Sequence, residues 1–182
     1  MELVERVLSF WFGTGEDGYR EIWFKKDPEF DREIAGRFAG DRDIAANGGY
    51  DAMAETPNGA LALVILLDQF SRNLLRGEAA AFASDPKALA IAKTAIANGF
   101  DLTMPLYRRS FFYLPFEHSE NIVDQDRGVE LFTALGDKNM LEYMINHRDI
   151  IARFGRFPHR NEVLDRKSTA EEIEFLKSFE AF

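Results

Sequence analysis

Apolar residues recur at helical spacing along almost the whole chain. Val4, Val7, Leu8, Trp11 and Phe12 share one helical face, and Gly13 ends that stretch. Phe30, Ile34 and Phe38 mark a second helix over Asp31–Phe38, and a third is expected from Asp41 to Met53. Thr56 has the chemistry of an N-cap, with Pro57 at the first helical position, where its missing N–H costs nothing. The helix it opens is expected to reach Leu75. Up to Leu67 that helix is apolar nearly all round, which places it at the centre of the fold. Ser84 or Asp85 caps the next helix, Pro86 opens it, and Gly99 closes it as a left-handed C′ residue.

Four more helical segments follow from start and stop signals. One starts at Thr103 or Pro105 and is ended or kinked by Pro115. A second runs from a Ser119 cap to Leu135, stopped by Gly136. A third starts at Asp137, reaches Phe154 and stops at Gly155. The last, "STAEEIEFLKSF", begins with a Ser/Thr cap and places acids in its first turn, where the helix dipole favours them. Nowhere do β-branched residues alternate with polar ones as a strand requires. The pattern predicts an all-α chain of roughly eight to ten helices, antiparallel neighbours joined by short loops. A single helical domain over residues 1–182 is expected, with no clean tetratricopeptide consensus along it.

Composition narrows the function classes. The formal net charge of −9 disfavours nucleic acid and anionic membrane as partners. The absence of cysteine excludes disulfides, thiolate metal sites and cysteine nucleophiles. The start "MELVERVLSFWFG" carries Glu2 and Glu5 and lacks a basic region, so it is not expected to act as a signal peptide. The longest apolar run, Ala60–Leu67, is too short to span a bilayer. A cytoplasmic location is expected.

Charge is unevenly spread. Between His147 and Lys167 stand Arg148, Arg153, Arg156, Arg160, Arg166 and Lys167, against Asp149, Glu162 and Asp165.

The central apolar helix ends in a polar block, "LLDQFSRN". Asp68, Gln69, Arg72 and Asn73 are spaced to share one helical face, so that Asp68 can pair with Arg72 and Gln69 can reach Asn73. Two other segments invite them inward. "YLPFEHSE" puts Glu117, His118 and Glu120 at a break between helices, flanked by aromatics. "RFGRFPHRN" interleaves Arg153, Arg156, His159, Arg160 and Asn161 with phenylalanines that anchor the turn in the core. An arginine at a core edge needs a carboxylate, and Asp68, Glu117 and Glu120 are the obvious partners.

Such a cluster has three uses. It can be a salt-bridged lock between helices. It can bind a small anion or an acidic peptide end, because the guanidinium fork matches carboxylate and phosphate. It can also perform acid–base hydrolysis with Asp68, Glu117 and His118 or His159. No metal or cofactor is called for: Glu117 and His118 are adjacent rather than three apart, and there is no His-Glu-x-x-His. No serine sits in a nucleophile elbow. "FGTGEDG", Phe12–Gly18, follows a helix and lacks the Lys-Ser/Thr ending of a phosphate loop, so a plain turn is expected.

The strings "FWFG", "LLDQFSRN", "FASDPKALAIA", "YLPFEHSE" and "RFGRFPHRN", in this order, resemble the bacterial family called domain of unknown function 924. The resemblance covers essentially the whole chain. It implies a tetratricopeptide-like fold, a right-handed superhelix of antiparallel helix pairs, and brings no established activity. The family's motif positions match Asp68, Gln69, Arg72, Asn73, Glu117, His118, Ser119, Glu120, Arg153, Arg156, His159, Arg160 and Asn161. One departure is Ser71, where the family commonly has proline.

Overall fold

The computed structural model describes residues 2–13 and 18–179. The centre of the turn expected at Phe12–Gly18 and the last residues of the aromatic tail lie outside the described residues. Every regular element described is helical: α1 Leu3–Phe12, α2 Pro28–Ala46, α3 Pro57–Val64, α4 Phe70–Leu74, α5 Asp85–Ala97, α6 Leu106–Glu117, α7 Ile122–Leu135, α8 Lys138–Phe154 and α9 Ala170–Leu176. No described helix is long and apolar enough to cross a membrane.

Expected side-chain caps form at Thr56, Asp137 and Thr169. Thr56 accepts from the Gly59 N–H, and Thr169 forms a capping box with Glu172. Gly136 and Gly155 end α7 and α8 in the left-handed conformation.

Four boundaries differ. The expected break near Gly40 is absent, and α2 is continuous from an Asp27 cap to Ala46. An interior glycine costs about 1 kcal/mol, too little to end a helix whose Phe30, Ile34 and Phe38 face is buried. Residues beyond Asn47 leave the helix, and Asp51–Glu55 form a 3-10 segment. Pro115 does not end α6, which runs on to Glu117. α7 is capped by Asn121, while Ser119 lies two residues upstream and donates to Asp124.

The core is built around α3. Ala60 through Leu67 are each 0% exposed, because α1, α5 and α6 pack on α3 while α2 packs on the segment that follows it. Downstream, α7 packs against both α6 and α8. A smaller apolar cluster of Ile150, Ile151 and Phe157 is covered by Phe154, Phe175 and Phe179, which docks the C-terminal helix.

Gly59 is a tight point: an added Cβ would meet the Met53 carbonyl oxygen at 2.1 Å and Thr56 Oγ1 at 2.8 Å. Gly59→Ala is therefore expected to lose about 1–3 kcal/mol. Gly36→Ala, with nothing within 4 Å of the new Cβ, should instead gain about 0.5–1 kcal/mol. Urea unfolding of the two variants checks both signs.

The helix that carries the polar block is not regular. Between α3 and α4, Ile65–Gln69 form a π-helical turn in which the Phe70 N–H donates to the Ile65 carbonyl. Such turns are short insertions in α-helices, frequent at functional sites. This one carries Asp68 and Gln69.

Candidate functional site

Asp68 is the hub of a buried polar cluster, with its side chain 1% exposed. Its Oδ1 accepts from His118 Nδ1 at 2.7 Å and lies 3.0 Å from Arg72 Nη1. Its Oδ2 accepts from Gln69 Nε2 at 2.6 Å. Asp68 and Arg72 thus pair one turn apart, as the spacing predicts. The other half of that expectation fails: Gln69 turns to Asp68, and Asn73 donates to Asp31 of α2 at 2.7 Å. The π turn and the tight packing of α2 send the two pairs to different neighbours.

Arg72 is held from two sides. Its Nη1 and Nη2 donate to Asp85 Oδ1 and Oδ2 at 2.8 and 3.0 Å, a bidentate pair in addition to Asp68. The sequence offers Asp85, the first residue of α5, only as a cap. It is instead the shared acceptor of the site, because α5 packs against the π turn. Arg160 joins from the turn after α8. Its Nη1 lies 3.7 Å from Asp85 Oδ2 and donates to the His118 carbonyl at 3.1 Å, closing the C-terminal end of α6. Its guanidinium is sandwiched 4.6 Å from the Phe82 ring and 4.4 Å from the Phe157 ring. Arg160 Nε is buried without a hydrogen-bond partner.

Glu117 and His147 form the inner wall. Glu117 Oε1 lies 3.5 Å from His147 Nδ1, which meets the Tyr143 carbonyl at 2.8 Å. The His118 and His147 rings are 6.5 Å apart. Sequence reasoning missed His147 as a member. Its position on the buried face of α8 was readable, but its neighbours were not.

The protonation states separate sharply. Burial pushes Asp68 up, but Arg72 and then His118 outweigh it and hold the carboxyl well below its ordinary range. Burial, reinforced by the Asp68 carboxylate, pushes Glu117 up to about 8 against the pull of Arg72. Burial and then Arg72 hold His118 below its ordinary range, against Asp68. Burial lowers His147 to about 3. Burial and then Arg72 bring Arg160 down to about 10. At neutral pH Asp68 is ionised, while Glu117, His118 and His147 are uncharged. Asp68 then fixes the His118 proton on Nδ1. Among the described residues, no hydrogen bond reaches His118 Nε2.

The remaining predicted residues form separate arrangements. Glu120 accepts from the Phe157 N–H at 2.8 Å and pairs bidentately with Arg166. Arg156 pairs with Glu172 Oε1 and Oε2 at 2.6 and 2.8 Å, and Asn161 donates to Ser168 at 3.0 Å beside it. Arg153 pairs with Glu171 at the surface. His159 stacks on Phe179 at 5.1 Å, and burial and then Arg160 lower it to about 4. The expected partners of the arginines were Asp68, Glu117 and Glu120. None of the three pairs with Arg153, Arg156 or Arg160, which go to Glu171, Glu172 and Asp85, while Asp68 pairs with Arg72 and Glu120 with Arg166. Glu171 and Glu172 are first-turn acids of the last helix, whose docking brings them to the 153–161 turn. Among the described residues, no three metal-capable side chains come together.

Residues 7–180 match a family model described as bacterial protein of unknown function (DUF924). The chain belongs to the DUF924 family. It is also similar to a solved structure, the protein of unknown function ATU0120 from Agrobacterium tumefaciens: 41% identical over 97% of this chain and 98% of that one, with a TM-score of 0.90. No curated protein matches it. In this DUF924 member, four of the five strings quoted above border the cluster or its arginine turn, and "FWFG" closes α1. Ser71, the departure from the family pattern, is buried and accepts from Arg42 Nε at 3.0 Å, tying α2 to α4.

Proposed function

We propose that this cluster is a binding site for a small carboxylate- or phosphate-bearing molecule, in a protein that serves as a helical binding module. Arg160 carries the proposal. It is 6% exposed, its nearest carboxylate oxygen is 3.7 Å away, and its buried Nε is unbonded. A buried guanidinium so loosely paired gains a close acceptor when an anion arrives. Arg72, by contrast, is already saturated by two carboxylates. The side chains of Arg72, Asp85 and His118 are 20%, 15% and 13% exposed, so the cluster reaches the surface at these three residues. An acidic peptide end offers the same carboxylate. The tetratricopeptide-like superhelix belongs to the same proposal, supported by the packing of α5 on α6, α6 on α7 and α7 on α8.

Succinate, inorganic phosphate and an acidic peptide, each titrated to millimolar concentration, are the probes. At least one is expected to raise the melting temperature of the wild type with a saturating dependence, as a native-state ligand must. Arg160→Gln is expected to stay folded and to lose that rise. The site is not an anion site if none of the three shifts the wild type, or if Arg160→Gln responds as the wild type does.

A further inference from the structure

We infer that the Asp68–His118 pair is a hydrolytic dyad, in which His118 Nε2 takes a proton from water attacking the ester carbonyl of a carboxylate-bearing small molecule seated on Arg160. The inference rests on the anion-site proposal and deepens it by naming the substrate class.

Geometry carries it. A carboxylate at 2.7 Å from Nδ1 fixes the imidazole's orientation and tautomer and leaves Nε2 as a lone-pair acceptor. Asp68 is itself fixed by Gln69 and Arg72, so the ring is held from behind. Neither serine beside the cluster is placed as a nucleophile for this base. Ser71 Oγ is held by Arg42, and Ser119 Oγ is held between Asp124 and the Asn121 N–H. The chain has no cysteine. A held base without a side-chain nucleophile acts on water. The burial that keeps His118 uncharged leaves Nε2 free to accept at neutral pH.

The step balances with water alone. Water gives a proton to Nε2 as its oxygen bonds to the carbonyl carbon. The carbonyl oxygen becomes an oxyanion in the field of the Arg160 guanidinium, which also holds the substrate carboxylate. The carbon–oxygen bond to the leaving group then breaks, and the proton on Nε2 passes to the leaving oxygen. An acid and an alcohol depart, and the ring is again neutral. Asp68 is a positioning residue, and His118 is the catalytic one.

The probe is 4-nitrophenyl hydrogen succinate, followed by nitrophenolate release, with 4-nitrophenyl acetate as the ester that lacks the carboxylate. Wild type, His118→Gln, Asp68→Asn and Arg160→Gln are compared, each with its melting curve. The wild type is expected to prefer the succinyl ester at least tenfold. His118→Gln should lose about 100-fold in kcat, the scale of one general base, and Arg160→Gln should lose the preference for the carboxylate. Nitrogen NMR of the imidazoles gives a readout independent of folding losses. It should show the Nδ1–H tautomer for His118 in the wild type and its loss in Asp68→Asn.

Turnover by His118→Gln equal to the wild type overturns the inference, as does an Nε2–H tautomer in the wild type. If succinate binds through Arg160 and the ester is not hydrolysed, the dyad fails alone. If neither binds, the anion-site proposal fails with it.

Discussion

Arg72→Met is expected to lower the free energy of unfolding by about 3–5 kcal/mol, the cost of breaking a buried ion pair from one side. Methionine keeps most of the apolar stem, so the loss is that of the charge and its hydrogen bonds. Two carboxylates are stranded at once. Asp68, 1% exposed, keeps only His118 and Gln69, and Asp85 keeps only Arg160 at 3.7 Å. The losses are coupled, because removing the stranded charge removes the penalty. Arg72→Met combined with Asp68→Leu is therefore expected to cost clearly less than the sum of the two single changes. Urea unfolding at pH 7 measures all three. A single-variant loss below about 1 kcal/mol would mean that Arg72 is not the electrostatic centre described above.

Glu117→Gln is expected to stabilise the protein, by an amount that grows with pH. Glu117 is pushed from the ordinary carboxylate range up to about 8 by burial and by Asp68. Between about pH 4.5 and 8 the unfolded chain has lost this proton and the folded chain keeps it. Each pH unit in that window lowers stability by up to about 1.4 kcal/mol, and the loss is complete above pH 8. Glutamine removes this titration. The gain of the variant over the wild type should be small at pH 5 and reach about 3–5 kcal/mol near pH 8.

The histidines oppose this trend in the wild type. His118, His147 and His159 are all held below their ordinary range, chiefly by burial. Below about pH 6.5 the unfolded chain binds protons that the folded chain refuses, so stability falls on that side too. The difference between variant and wild type isolates Glu117, since the histidines are common to both. A gain independent of pH would show that Glu117 titrates normally.

Much of the architecture is local physics and legible as such. The caps at Thr56 and Thr169 and the stops at Gly136 and Gly155 depend on residues a few positions away. Where a boundary was misread, packing outweighed a weak local signal, as with Gly40 inside α2 and Pro115 inside α6.

The polar site divides in the same way. The sequence by itself determined that a polar block with Asp68 and Arg72 one turn apart would stand at the end of a buried apolar helix, because a helix apolar all round must be covered. Which charge meets which was decided only by the tertiary structure. Asp85 rather than Glu117 or Glu120 receives Arg72 and Arg160, and Glu117, an obvious carboxylate partner on paper, is buried uncharged beside Asp68. Carboxylates are interchangeable in a sequence. They become distinct only when packing fixes the distance of each to the arginines and the water each has lost, and those two quantities set who pairs and who stays protonated.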